Sequence, residues 1–214
     1  MNDERLIFLE KFAKRLINRI SKLEKLSNKY TALRLIIFII GSALSIIAFS
    51  SFSKIVGSIS LVTFIITFLI TIYFHNKVIN SIDRHKILLN LKLQNIARIK
   101  LDWDILAPKE NLVFEKHPFA SDLDILGKNS LYRLIDTTVS KEGEELLLNL
   151  LLEKKPSLEK ILKRQSIIKE LKNLNVLRNK IILDIQILKK PKENKWNGSK
   201  ILPWVTQDED LEKL

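Results

Sequence analysis

Two uncharged apolar stretches that almost touch are the strongest constraint on how this chain folds. No residue from Leu35 to Ser53 carries a charge, and after Lys54 a second uncharged run extends from Ile55 to Phe74. A helix needs about 20 apolar residues to cross roughly 30 Å of hydrocarbon, and both runs reach that length. The sequence therefore predicts a transmembrane hairpin over residues 35–74, with antiparallel spans at 35–53 and 55–74.

Two other readings of these runs exist. A cleaved signal peptide fits poorly, because the first run begins only at Leu35 and a second follows it directly. A buried helical pair in a soluble protein is the stronger alternative.

Small and hydroxyl residues such as Gly41, Ser45 and Thr67 indicate close packing between the spans. A transport path is the weaker reading, because neither span contains an ionisable group.

Basic residues are distributed unevenly around the hairpin. Residues 1–34 hold nine Lys or Arg, residues 75–107 add six more, and Lys54 is alone between the runs. By the positive-inside rule, both termini should be cytoplasmic in a multi-pass protein of the cytoplasmic membrane. The formal net charge of +12 favours polyanionic partners, either anionic lipid or nucleic acid. The chain has no cysteine, which excludes disulfides, thiolate metal sites and a cysteine nucleophile.

The segments on either side of the hairpin have heptad spacing. Residues 1–34 read as an amphipathic helix and residues 75–107 as a juxtamembrane helix. The apolar positions seven apart are Leu9, Leu16, Leu23 and Tyr30, with Leu26 on the same face, and then Ile82, Leu89, Ile96 and Trp103. An antiparallel coiled-coil stalk is one interpretation. The others are a helix lying on the headgroups and apolar faces that dock on the downstream domain.

The remainder of the chain predicts an all-α domain. Pro108 and Pro118 mark residues 108–121 as a linker. Residues 122–190 contain four helical patterns, at 130–136, 141–153, 158–174 and 176–190, and residues 191–214 form a tail. Ser140 and Ser157 precede two of these helices and are candidate N-caps. The predicted fold class is all-α, a two-helix hairpin with flanking amphipathic helices followed by a helical domain.

Part of this domain resembles a known family. The segments His117–Leu151 and Leu158–Leu171 are similar to the start of the core, or lever, domain of the MutS family of DNA mismatch repair proteins. The similarity is greatest to membrane-anchored bacterial MutS-like proteins, which place two predicted spans before this core. Leu150 departs from the pattern, because tryptophan is common there. The matching positions are Asp122, Leu123, Asp124, Gly127, Ser130, Leu131, Gly143, Arg164, Gln165, Glu170 and Leu171.

The resemblance implies double-stranded DNA as a ligand and a homodimer or a MutS-type ATPase as a partner. It also implies coupling to an ATPase domain with ATP and Mg²⁺, which this sequence does not contain. A phosphate-binding loop reads GxxxxGK[ST]. The Gly127-Lys128 pair lacks the first glycine, and Asn129 follows it. The chain therefore resembles the N-terminal part of such a protein, with a partial core.

No catalytic, metal or cofactor site is predicted on this chain. The three histidines, His75, His85 and His117, have no metal-ligand or catalytic spacing. The family-motif residues have structural interpretations when they are taken singly. Asp122 and Asp124 would cap a helix, Gly143 would lie at a close helix contact, and Arg164 and Glu170 would form ion pairs. A structural adaptor that binds a protein partner through the stalk, or a truncated gene remnant, remains the alternative function.

Overall fold

The computed structural model describes residues 2–51, 54–106, 117–120, 122–189 and 195–200. The chain divides into two compact units, Met1–Lys92 and Leu93–Leu214. The described residues form six α-helices and a short 3-10 turn, with no strand among them. The predicted all-α fold class is confirmed.

Two long helices account for most of the first unit. Helix α1 runs over Asn2–Ser51 and helix α2 over Lys54–Lys100, whose last turns belong to the second unit. Neither helix contains proline, so no residue removes a backbone donor from either. Each predicted flanking segment is continuous with its span in a single helix. Trp103, which the heptad pattern includes, follows the end of α2.

The two helices pack antiparallel over the whole first unit. Residue numbers on α1 fall as those on α2 rise along the contact, as an antiparallel pair requires. From the end of α1 and the start of α2 outward, the contacting pairs are Phe49–Gly57, Gly41–Phe64, Phe38–Phe68, Tyr30–His75, Glu24–Lys86 and Phe12–Lys92. The segment of α1 that precedes the apolar run therefore lies beside the segment of α2 that follows it.

A heptad-spaced apolar seam holds the outer part of this pair together. Leu9, Ala13, Leu16 and Ile20 are buried on α1 at alternating steps of four and three residues. Ile82 is buried on α2. The prediction that Leu26 shares this face is wrong, because the seam continues through Leu23 and the side chain of Leu26 is exposed.

The apolar runs have the opposite pattern of burial. Only 6% and 11% of the residues in their most apolar stretches are buried. Large aliphatic side chains such as Ile46 and Leu69 point away from the partner helix. A core helix of a soluble protein would instead be mostly buried. Both helices are long and apolar enough to span a membrane.

The second unit contains four shorter helices: α3 (Leu131–Ile135), α4 (Lys141–Leu151), α5 (Leu158–Lys172) and α6 (Asn175–Leu188). The Ser140 hydroxyl caps α4 by accepting a hydrogen bond from the Gly143 amide at 3.1 Å, as predicted. Ser157 occupies the N-cap position of α5, as predicted, but its side chain makes no capping hydrogen bond. No residue of α5 or α6 is buried.

Two predicted segments fall largely outside the described residues. Of the linker 108–121, the structure describes only residues 117–120. The His117 ring hydrogen-bonds the Leu152 carbonyl there at 2.9 Å. Of the tail 191–214, it describes residues 195–200. That short piece packs against the start of α4, as described below.

Candidate functional site

Residues 122–130, the first part of the segment singled out in the sequence, form one loop that leads into α3. The Leu131 amide donates to the Asp124 carbonyl at 2.9 Å, and the Tyr132 amide donates to the Ile125 carbonyl at 3.0 Å. The loop turns through two residues with positive φ, Asp124 at 46° and Gly127 at 126°. At the value found for Gly127, a side chain would be strained, so glycine suits this position.

Helix α3, which follows this loop, is capped by Ser130 and not by the aspartates that the sequence suggested. Ser130 caps α3: its hydroxyl accepts from the Arg133 amide at 3.3 Å, and the residue is almost fully buried. Asp122 and Asp124 were expected to cap a helix, but α3 begins only at Leu131. Both aspartates are exposed in the preceding turn, as is Leu123. The capping interpretation of the two aspartates is therefore wrong.

Arg133 joins this loop to the residues that follow α2. Its guanidinium donates to three backbone carbonyls, those of Lys128 at 2.7 Å, Trp103 at 2.6 Å and Leu106 at 2.7 Å. The same group lies 5.7 Å from the centre of the Trp103 ring, within the range of a cation–π contact. One side chain thus fixes three backbone segments relative to one another.

Arg98, on the last turns of α2, performs the same task at the other end of α3. Its Nε donates to the Leu134 carbonyl at 2.9 Å, and its Nη2 donates to the Asp136 carbonyl at 2.8 Å. These are terminal carbonyls of α3, which lack partners within so short a helix. Burial lowers the pKa of the Arg98 guanidinium, and the Asp136 carboxylate opposes that shift.

A buried ion-pair network follows α3. The Asp136 carboxylate accepts from the Thr138 amide at 2.8 Å and from its hydroxyl at 2.5 Å. Its other oxygen lies 3.0 Å from the ammonium of Lys195, which also lies 2.7 Å from the Glu144 carboxylate. The side chains of Asp136 and Lys195 are only 1% and 11% exposed. Lys195 therefore carries its positive charge between two carboxylates in a largely dry environment.

Tyr132 completes the network. Its hydroxyl donates a short hydrogen bond to the Glu144 carboxylate, and the residue is almost fully buried. The pKa of Tyr132 is raised above its ordinary value. Burial is the largest cause, and the hydrogen bond to Glu144 is the second. The phenol stays protonated at neutral pH and serves as a donor.

The tail segment is fixed to α4 by backbone as well as side-chain bonds. Trp196 exchanges hydrogen bonds with the Val139 carbonyl and the Lys141 amide, both at 3.0 Å. The Glu142 carboxylate accepts from the amides of Gly198 at 2.8 Å and Ser199 at 3.2 Å. Hydrogen bonds from its own amide and from Gly198 lower the pKa of Glu142.

This arrangement joins separate backbone segments of the second unit. The network's acidic, basic and hydroxyl groups bond to one another or to backbone atoms. Among the described residues no three His, Cys, Asp or Glu side chains could hold a metal ion. The second unit therefore presents a fixed scaffold in which α3, α4 and the tail are joined.

The remaining motif residues are not part of this cluster. Gly143 lies at the start of α4, where an added Cβ would come 3.1 Å from the capping Ser140 hydroxyl. The close contact that was expected at Gly143 is therefore made with Ser140, the N-cap of the same helix, and not with another helix. Leu131 is exposed on α3. On α5, Arg164 is half-buried, while Gln165, Glu170 and Leu171 are exposed.

Sequence reasoning missed the residues that organise the unit: Arg98, Tyr132, Arg133, Asp136, Glu144 and Lys195. One local signal was available for Asp136, because an aspartate two residues before a threonine commonly accepts a bond from that residue's amide. No signal was available for Lys195, which meets Asp136 from 59 positions away.

No protein-family model, curated protein or solved structure matches this chain. The family resemblance accordingly depends on the order and spacing of the motif residues themselves.

Proposed function

We propose that this protein is a membrane-anchored MutS-like protein. The hairpin of α1 and α2 holds the second unit at the cytoplasmic face of a bacterial cytoplasmic membrane. There the protein takes part in binding or remodelling double-stranded DNA, coupled to an ATPase domain that this sequence does not contain.

The outward orientation of the apolar side chains carries the membrane part of the proposal. Two adjacent apolar stretches leave about nine-tenths of their residues unburied. Water would solvate such a surface poorly, whereas hydrocarbon solvates it well. Away from their ends, the backbone polar groups of α1 and α2 are bonded within the helices, as hydrocarbon requires. The excess of Lys and Arg on both flanks supports cytoplasmic termini.

The DNA-handling part rests on the motif order from Asp122 to Leu171. The Asp124–Gly127–Ser130 turn supports it, because these residues have roles that depend on their identity: two positive-φ positions and a buried cap. Helices α5 and α6 expose many aliphatic side chains, including Leu162, Ile168 and Leu177. A homodimer partner or a MutS-type ATPase would cover these helices.

An adaptor that binds its partner through the stalk is less well supported. The apolar seam of the stalk, which includes Leu9, Leu16 and Ile20, is already buried within the first unit. A partner would have to displace α2 in order to reach it. The described structure therefore favours α5 and α6 over the stalk seam as the place where a protein partner packs.

Topology can be tested by single-cysteine labelling, because the chain has no cysteine of its own. Lys54→Cys should react with a membrane-impermeant maleimide in intact cells. Asn80→Cys should react only after the cells are permeabilised. Labelling of both sites in intact cells, or of neither, would contradict the proposed topology.

The DNA role is tested separately with the full chain in neutral phosphatidylcholine nanodiscs. Duplex DNA should bind at low salt, and its affinity should fall as salt rises, because Lys and Arg release condensed counterions from the phosphates. Absence of binding at low salt would refute the DNA role and leave the membrane anchor standing.

A further inference from the structure

The outer face of α1 carries a row of mostly basic residues. Between Lys11 and Lys29, nine exposed positions lie opposite to the apolar seam, namely 11, 14, 15, 18, 21, 22, 25, 28 and 29, and the exposed side chains of Ile17 and Leu26 lie at their margins. None of these nine residues is acidic or apolar, and the three that are not basic are Asn or Ser. The basic members are Lys11, Lys14, Arg15, Lys22, Lys25 and Lys29. We refer to this face as the basic stripe.

The stripe is straight and long. It extends over 18 helical steps, which correspond to about 27 Å at a rise of about 1.5 Å per residue. Members recur every three or four residues, so they stay on one side of the helix. Glu24, which lies beside the stripe, pairs with Lys86 of α2 at 2.7 Å. Its charge is therefore directed toward the facing helix.

We propose that the basic stripe is a docking surface for the phosphate backbone of double-stranded DNA, bound without regard to sequence. This inference deepens the proposed function and rests on its membrane topology. It assigns the DNA contact to the stalk rather than to the MutS-like unit.

Distance from the bilayer argues against lipid headgroups as the ligand. Helix α1 is continuous from the stripe into the apolar run, so the stripe points away from the membrane. Lys29 lies six residues before Leu35, about 9 Å along the helix, and Lys11 lies about 36 Å away. Electrostatic attraction is screened over roughly 8–10 Å at physiological salt. Most of the stripe is thus beyond the reach of the headgroups.

The composition of the stripe argues for nucleic acid over an acidic protein. Protein interfaces have an apolar core, whereas the basic stripe itself has no apolar side chain and the exposed Ile17 and Leu26 lie only at its margins. Phosphate contacts come from Lys and Arg together with Asn and Ser, the residue types found here. A length of about 27 Å matches about eight base pairs at 3.4 Å each.

The test compares two five-lysine variants of the full chain in neutral phosphatidylcholine nanodiscs. The stripe variant replaces Lys11, Lys14, Lys22, Lys25 and Lys29 with Gln. The control replaces Lys160, Lys163, Lys169, Lys172 and Lys180, exposed lysines of α5 and α6, with Gln. Both lose the same net charge, and Gln matches Lys in helix propensity. Circular dichroism checks that the helices are retained.

Duplex DNA binding should weaken at least about tenfold at low salt in the stripe variant. The slope of log affinity against log salt should decrease by about 1 for each contact removed. The control should bind like the unmodified chain, and Lys→Arg at the five stripe positions should retain binding. If DNA binding weakened equally in both variants, or more in the control, the basic stripe would not be the DNA-binding surface, although the protein would still bind DNA.

Two further outcomes also decide the question. If the unmodified chain binds no duplex DNA at low salt, both the DNA role and the assignment of DNA binding to the basic stripe are refuted. If the stripe variant loses binding to polyglutamate but keeps binding to duplex DNA, the stripe is overturned in favour of an acidic protein partner.

Discussion

At the residue scale, glycine permits the closest approach within the hairpin. A Cβ added to Gly41 would lie 2.1 Å from Phe64 Cδ2, so even alanine forces the ring or the helix to move. We expect Gly41→Ala to destabilise the hairpin by about 1–3 kcal/mol, a typical cost of overpacking. Unfolding in detergent, followed by circular dichroism, measures the change.

Ala43→Leu is the matched control, because Ala43 is exposed in the same apolar run. This larger substitution should leave stability almost unchanged. Combining Gly41→Ala with Phe64→Ala should recover part of the loss, since residues in contact are coupled. A Gly41→Ala variant as stable as Ala43→Leu would contradict the packing described here.

The charge of Lys195 is held between two carboxylates, one of them almost fully buried. Lys195→Met keeps the length of the side chain but removes the ammonium that pairs with the buried Asp136 carboxylate. Removing one partner of a buried pair costs about 3–5 kcal/mol. Hydrogen exchange of the amides of α3 and α4 should accelerate accordingly.

Lys172→Met, an exposed lysine on α5, should leave that exchange unchanged. Lys195→Arg should retain most of the protection. Similar exchange in the Lys195→Met and Lys172→Met variants would mean that the ion pair contributes nothing to the unit.

The tail contact at Glu142 should depend on pH. Because hydrogen bonds to the folded protein lower the pKa of this carboxyl, its stabilising contribution is present above the unfolded value near 4.5. That contribution is lost as the pH falls through the lower, folded value. Trp196 fluorescence, with the other two tryptophans replaced by Phe, should report release of the tail below about pH 4.5.

Glu142→Gln keeps an acceptor oxygen but cannot titrate. Its fluorescence should lack the component of the acid transition that Glu142 contributes, although other carboxyls still titrate there. Identical transitions in the two proteins would assign the release to another carboxyl.

At the scale of elements, the register of α1 against α2 makes a geometric prediction. Ser27 Oγ and His75 Nε2 are 3.1 Å apart. In the cysteine-free chain, the pair Ser27→Cys and His75→Cys should react with a short bis-maleimide to give an intramolecular crosslink. Ser27→Cys with Asn90→Cys, displaced by about 22 Å along α2, should not. Crosslinks formed mainly between chains would show that the hairpin pairs differently.

The hairpin could be predicted from the sequence because its signal is local. Charge-free runs, basic flanks and a seven-residue apolar period each lie within a few turns of helix. Trp103 shows the limit of that reasoning: it continues the period, yet the helix ends at Lys100. A period predicts which face is apolar and does not predict where the helix ends.

The second unit was harder to predict because its organisation is non-local. Arg98 meets Leu134, and Lys195 meets Asp136, across long stretches of chain. A capping serine can be recognised from the residues beside it, as Ser140 shows. Ser157 shows that the same residue type at the same position can leave the capping bond unmade.

At the scale of the whole molecule, the solvent around the two apolar runs decides what the protein is. If that solvent is lipid, a charge placed among the outward side chains must be expensive. Leu44 and Ile66 are exposed within the two runs. Each lysine at the centre of a span costs about 2.5–3.5 kcal/mol of insertion free energy. The pair Leu44→Lys and Ile66→Lys should therefore move the chain out of the carbonate-resistant membrane fraction.

The control places the same change outside the predicted bilayer. Ile7 and Ile17 are also about half-exposed, but they lie on the part of α1 that precedes the apolar run. Ile7→Lys with Ile17→Lys should remain in the membrane fraction with the unmodified chain, because water already surrounds those positions. If both double variants were found in the same fraction, the exposure of apolar side chains would not distinguish the membrane-spanning part of α1 and α2 from the part outside the membrane. The tether and the distance argument for the basic stripe would then both lose their basis.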